Sequence, residues 1–155
     1  MATRISQART SEYDELKRFL VHWETHLSPI RIFPIDHPHN PVNVLAGFEA
    51  KLGVAKTLPG LKQAINDVLE LVPDLTPAFR AQADTSLASV GAPTLTQLWQ
   101  RRSAHFNRLL RRGDLRTDTE YYLVTSVLAD TASNLPPQVS QTLTDMVARY
   151  ESRRT

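Results

Sequence analysis

The sequence predicts an all-α fold, a compact bundle of six to seven helices with one proline-rich extended loop at about residues 28–40. Three observations support this prediction. Apolar residues recur three and four positions apart in most segments of the chain. Residues typical of helix ends, such as serine, threonine, proline and glycine, lie between those segments. No segment alternates between apolar and polar residues as a half-buried strand does.

Length and composition predict one domain. At 155 residues the chain is long enough to bury a core of its own. Its hydrophobic fraction of 41% and charged fraction of 22% are ordinary for a globular protein. The N-terminus is polar, so we expect residues 1–10 to form a flexible tail and residues 11–155 a single helical domain.

The first helix is predicted near residues 12–27. Ser11 is a suitable N-cap, and the acidic residues that follow it complement the helix dipole. Apolar residues then recur at helical spacing until Ser28 and Pro29 end the helix.

The loop that follows contains four prolines in the segment SPIRIFPIDHPHNP and cannot be helical. Its isoleucines make it unusually apolar for a loop. We therefore expect an ordered, extended segment over the core, of the kind that is often functional.

Three helices are predicted in the middle of the chain. Asn40 and Pro41 begin a helix that ends at Gly53. A Thr-Leu-Pro triplet then predicts a helix over 58–72, and a Thr-Pro pair predicts another from residue 77 up to Gly91. The polar triplet Asp84-Thr85-Ser86 is a candidate break in that last helix.

Three more helices are predicted in the last third. The strongest apolar stripe lies over 95–112, after Thr94, and Gly113 ends it. A capping box predicts a helix to about Ala129, and two consecutive prolines precede the last helix.

Several chemistries have no support in the sequence. The chain has no cysteine, which excludes disulfides, thiolate metal ligands and cysteine nucleophiles. Its five glycines do not have phosphate-loop or dinucleotide spacing, and no GxSxG, kinase or HExxH motif occurs. These features favour a non-enzymatic protein without a cofactor. The absence of a signal peptide and of a membrane-spanning apolar stretch predicts a cytoplasmic location away from the membrane.

Four of the five histidines form the first candidate site. His22 and His26 lie one helical turn apart, and His37 and His39 follow in the proline-rich loop beside Asp36. These five residues are candidate ligands for a divalent metal such as zinc, in a regulatory or hydrolytic site. The alternative is structural, with His26 capping helix-end carbonyls and Asp36 and His39 bracing a turn.

A basic stripe forms the second candidate site. Arg101, His105, Arg108 and Arg112 recur along one face of the helix predicted over 95–112. Such a stripe can bind an anion or the phosphates of a nucleic acid. The alternative is a solvated face whose last arginines offset the helix dipole.

By elimination, the best interpretation is a helical protein–protein interaction or regulatory domain that binds a protein partner or self-associates, for example as a dimer. Ile32 and Phe33, in the apolar loop, are the candidate protein-contact residues. A metal-binding protein and a nucleic-acid-binding protein are the two alternatives.

Overall fold

The computed structural model describes residues 7–130 and 134–154. These residues form eight α-helices and no strand, so the predicted all-α fold is confirmed, with eight helices in place of six or seven. The helices are α1 (Gln7–His22), α2 (Pro41–Leu52), α3 (Val54–Glu70), α4 (Pro77–Ser89), α5 (Leu95–Arg102), α6 (Ala104–Arg112), α7 (Asp118–Ala129) and α8 (Pro137–Arg154). A π-helical turn, Trp23–Leu27, extends α1, and a 3-10 turn, Val72–Asp74, follows α3. None of these helices is long and apolar enough to cross a membrane.

The helices assemble into two compact units. Unit 1 consists of the described residues up to Val68 together with Thr85–Thr94. Unit 2 consists of Leu69–Asp84 together with the described residues from Leu95 onward. A single domain over residues 11–155 remains a prediction of the sequence.

The first helix begins earlier than predicted. Because α1 starts at Gln7, Ser11 lies inside the helix and is not its N-cap. Residues 7–10 of the expected tail are helical, and residues 1–6 lie outside the described part of the chain. The polar character of the stretch favours a tail, yet glutamine, alanine and arginine are good helix formers.

The core of unit 1 is built on α1. The buried side chains of α1 and of the π-helical turn recur at helical spacing, and each is at most 1% exposed: Tyr13, Leu16, Phe19, Leu20 and Trp23. The rings of Phe19 and Trp23 are stacked, with 6.0 Å between their centroids. The α3 helix adds a second buried face, formed by Leu58, Leu61, Ile65 and Val68.

The π-helical turn continues from α1 to Leu27, where the sequence predicts the helix end. The Ser28 N–H donates to the Trp23 carbonyl at 2.8 Å, an i to i+5 bond that widens the last turn. This wide turn contains His26.

Two asparagines fasten the proline-rich loop to the first turn of α2. Asn40 is fully buried, and its Oδ1 accepts from the Val42 N–H at 3.0 Å as the predicted N-cap. Its Nδ2 donates to the Phe33 carbonyl at 3.1 Å. The Asn43 side chain donates to the carbonyl of Ile35 at 2.8 Å. The loop is therefore ordered, as its composition predicts.

The α3 helix begins at Val54 rather than at residue 58. Gly53 ends α2 with φ at 78°, and its carbonyl accepts both the backbone N–H and the hydroxyl of Thr57. A new helix therefore follows the glycine directly, and Pro59 lies inside its second turn.

The helix predicted over 95–112 is two helices, so that prediction is wrong. Ser103 has extended backbone angles, and its hydroxyl accepts from the Phe106 N–H as the N-cap of α6. A serine that caps competes with helix continuation, and the continuous apolar stripe concealed this break. Gly113 ends α6 in the left-handed conformation, as predicted.

The core of unit 2 is contributed by the segment Leu69–Asp84, the last four helices and the loop after α6. Its fully or nearly fully buried apolar side chains are Leu69, Val72, Ala83, Leu95, Leu98, Trp99, Phe106, Leu109, Leu115, Leu123, Val124, Val127, Leu143 and Met146. The predicted cap of α7 is present, because the Thr117 hydroxyl accepts from the Glu120 N–H at 3.1 Å.

The Asn40 side chain makes a stability prediction. Asn40→Ala removes a buried N-cap and the bond that holds the loop, so the free energy of unfolding should fall by about 1–3 kcal/mol. Urea denaturation measures the change. The control is Asn66→Ala, at an exposed position of α3, which should leave the midpoint nearly unchanged. Equal losses in both variants would contradict the role of Asn40.

Candidate functional site

The structure places the predicted histidine cluster as two separate pairs. The ring centroids of His22 and His26 lie 4.9 Å apart, and those of His37 and His39 lie 5.4 Å apart. In the part of the chain that the structure describes, no group of three or more histidine, aspartate or glutamate residues could hold a metal ion. The metal site therefore stays a prediction of the sequence.

The loop histidines contact an aromatic ring. Phe33 stacks on His37 with 4.6 Å between centroids and meets His39 edge-on at 5.5 Å. The His39 N–H also donates to His37 Nδ1 at 3.0 Å. These contacts brace the turn, while Asp36 is exposed beside them.

The two candidate contact residues have different surroundings. Ile32 is 80% exposed, whereas Phe33 is half-buried against the histidine rings. Ile30 and Ile35 are also exposed. The loop is therefore tied down by its polar groups and displays isoleucine side chains to solvent.

The basic stripe does not lie on one helix. Arg101 belongs to α5, and the break at Ser103 separates it from His105, Arg108 and Arg112 on α6. Arg101 and Arg108 are exposed, but the other two side chains contact the nearly buried carboxylate of Glu120. Binding of nucleic acid by these four residues stays a prediction.

Glu120 organises the surroundings of the stripe. Its Oε1 accepts from Arg112 at 2.7 Å and from the Arg116 N–H at 2.8 Å, and His105 lies 3.3 Å from Oε2. Burial alone would raise the pKa of Glu120, but the hydrogen bonds from Arg116, Arg112 and His105 outweigh it and the pKa is lowered. The side chain of Glu120 is therefore ionised in the folded protein.

The α2 helix carries a surface that the predicted sites do not include. The helix is rich in apolar residues, yet Leu45 is its one buried side chain. Val44, Phe48 and Leu52 are 39%, 51% and 49% exposed. They recur every four residues and so form one stripe. A helix with this composition is normally covered on most of its faces.

An apolar groove of about 270 Å³ lies along this stripe. Buried leucines of three helices line it, namely Leu20 of α1, Leu45 of α2 and Leu61 of α3. The three exposed side chains of α2 and Lys56 of α3 also line it. We call this surface the α2–α3 groove.

A polar contact holds the α2 wall of the groove against α1. The Glu49 carboxylate accepts from the Tyr13 hydroxyl at 2.7 Å and from Lys17 Nζ at 2.9 Å. The hydrogen bond from Lys17 and, to a smaller extent, the one from Tyr13 lower the pKa of Glu49. Burial, together with the bond to Glu49, raises the pKa of Tyr13. The two helices are thus joined by an ionised carboxylate.

The groove carries positive charge at its edge. Lys56 of α3 lines it and is exposed, and Lys51, also exposed, lies three residues after Phe48 on α2. Glu49, the one acid of α2, is engaged by Lys17. The groove therefore combines an apolar floor with positive charge at its edge.

The sequence contained a signal for this surface. Val44, Phe48 and Leu52 are four residues apart in a helix whose limits were predicted correctly. The spacing alone does not say that Leu45 faces the core, because nearly every position of α2 is apolar.

Comparison with protein-family models, with curated proteins and with solved structures finds no match.

The Glu120 network makes a prediction about pH. Glu120→Gln should lower the free energy of unfolding at neutral pH by about 2 kcal/mol, because charge-assisted hydrogen bonds are lost. A carboxylate with a lowered pKa stabilises the fold above its unfolded value of 4.5, and this stability disappears as the pH falls through the folded value. The difference between wild type and variant should therefore be constant near neutrality and shrink below about pH 4.5.

Denaturation at a series of pH values measures this difference, with Glu70→Gln, an exposed position of α3, as the control. A difference that grows as the pH falls would show that the ionised Glu120 is not the stabilising form.

Proposed function

We propose that the chain is a protein-binding module whose α2–α3 groove receives one amphipathic helix of a partner protein, flanked by acidic residues. One observation carries the proposal: three large apolar side chains lie exposed in a single stripe beside an apolar groove. Leaving them in water is unfavourable. Covering half of one phenylalanine removes on the order of 100 Å² of apolar surface from water, which contributes about 2 kcal/mol.

The shape of the groove favours a helical partner. Val44, Phe48 and Leu52 follow the axis of α2, so the groove runs along a helix. A helix that lies beside another helix inserts side chains spaced three and four residues apart between its ridges. A groove of about 270 Å³ has room for a few such anchor side chains.

Charge favours an acidic partner over a second copy of this chain. In a symmetric pair both copies use the same patch, so two surfaces with the same excess of positive charge would face each other. A partner helix with acidic residues beside its apolar stripe pairs with that positive charge instead.

The proline-rich loop extends the proposed contact surface. Asn43, in the first turn of α2, holds the loop through the carbonyl of Ile35. The exposed Ile32 is therefore carried on a loop that is fixed to the helix forming the groove. Its role as a contact residue, self-association as a dimer and a cytoplasmic location all remain predictions.

A synthetic peptide tests the proposal directly. The probe is a fluorescein-labelled amphipathic helix with leucines at i, i+4 and i+7 and glutamates beside them. Its fluorescence anisotropy should rise saturably with the wild-type protein. Phe48→Ser should weaken the affinity at least about tenfold, because an anchor contact is lost. Tyr122→Ser is the matched control, since Tyr122 is 46% exposed and does not line the groove.

Charge reversal provides the second part of the test. Lys56→Glu should weaken the glutamate-flanked peptide and strengthen a lysine-flanked one. A scrambled peptide of the same composition should not bind. Equal affinities for wild type and the Phe48→Ser variant would overturn the groove as the binding site. A concentration-dependent dimer in sedimentation, dissociated by Phe48→Ser, would overturn the proposed occupant in favour of a second copy.

A further inference from the structure

A second depression, of about 490 Å³, lies along α1 and the π-helical turn that extends it. Arg18, His22 and His26 line it at four-residue spacing, and Val90, which follows α4, lines it as well. We call it the α1 cleft. It shares no lining residue with the α2–α3 groove, so the two surfaces are independent.

Hydrogen-bonding groups outnumber carboxylates in the lining of the α1 cleft. Asp14 is the one carboxylate that lines the cleft. Lys17 lines it too, but its Nζ lies 2.9 Å from the carboxylate of Glu49, which is not a lining residue. The other polar groups that line the cleft include the guanidinium of Arg18 and the imidazoles of His22 and His26. These side chains are donors suited to an oxyanion.

Neighbouring groups hold two of these donors in place. Arg18 Nη1 donates to the Gly91 carbonyl at 3.2 Å, which uses one of the five N–H donors of a guanidinium. His22 Nε2 lies 2.7 Å from the Ser86 hydroxyl, and when Nε2 accepts from that hydroxyl the neutral ring carries its hydrogen on Nδ1, which can donate to a ligand. Burial, and then the charge of His26, lowers the pKa of His22, which favours its neutral ring.

We propose that the α1 cleft binds the phosphomonoester group of a small organic molecule. Arg18 is the principal phosphate-binding residue, because a planar guanidinium matches two phosphate oxygens at once. His22, His26 and the hydroxyl of Thr25 supply further donors, which suits the three terminal oxygens of a phosphomonoester better than the two of a carboxylate.

The size and the apolar lining indicate the rest of the ligand. A volume of about 490 Å³ exceeds what inorganic phosphate needs and lies within the usual range for small organic ligands. Val21 and Val90 line the cleft and provide apolar contact for the organic part. Val90 is 44% exposed, as expected for a surface that a ligand covers.

Calorimetric titration with phenyl phosphate tests this site, with benzoate and inorganic phosphate as comparison ligands. Phenyl phosphate should bind saturably and more tightly than either. Arg18→Gln should weaken its binding about tenfold or more, as expected for the loss of a charge-assisted contact. The matched control is Arg149→Gln, since Arg149 also donates to a glycine carbonyl, that of Gly113, but does not line the cleft.

A second variant distinguishes a loss of binding from a loss of folding. Val90→Asp places a negative charge in the cleft from a different element and should also weaken phenyl phosphate binding, with an unchanged melting temperature. Absence of saturable binding at millimolar phenyl phosphate would overturn the proposal. Equal binding of benzoate, or equal losses in the Arg18→Gln and Arg149→Gln variants, would overturn it as well.

Discussion

The Glu49 carboxylate is the contact on which the arrangement of unit 1 depends. It accepts hydrogen bonds from both Tyr13 and Lys17 of α1 and thereby fixes the rotation of α2 about its axis. Leu45 lies four residues before Glu49 and is turned into the core by the same rotation. Glu49 is the one acid of α2 and Leu45 its one buried side chain, so the polar contact and the burial of Leu45 favour the same rotation of the helix. The exposed stripe of α2 follows from that rotation.

The same helix, α1, serves two surfaces of different chemistry. Its apolar face supplies Leu20 to the floor of the α2–α3 groove, and a polar face with Arg18 and His22 lines the α1 cleft. A helix that is apolar on one side and polar on another can do both without conflict, since its faces project in different directions. One surface suits an apolar helix with acidic edges, and the other suits a small phosphorylated molecule. An experiment that contradicts one of the two proposals therefore does not affect the other.

The sequence was sufficient for the fold class and for most helix limits, because those depend on local spacing and caps such as Asn40 and Gly113. The sequence-based prediction failed where one residue fits two local structures equally well. Ser103 reads equally well as a polar position in a long helix and as a cap, and only the tertiary packing decides between them. The candidate sites were harder to predict than the helices. Glu120 is close to Arg112 in sequence, but its nearly complete burial follows from tertiary packing. The exposure of Phe48 likewise depends on contacts made by residues of α1, far away in the chain.

Hydrogen exchange read by mass spectrometry, with and without the glutamate-flanked peptide, tests the central claim most directly. If the partner helix lies in the α2–α3 groove, the added protection should fall on α2 and the first turns of α3, with the proline-rich loop beside them. Amides of α6 and α7 should exchange as in the free protein. Protection centred on α6, or an equal slowing throughout the chain, would contradict binding in the groove and point to the basic stripe or to general stabilisation instead.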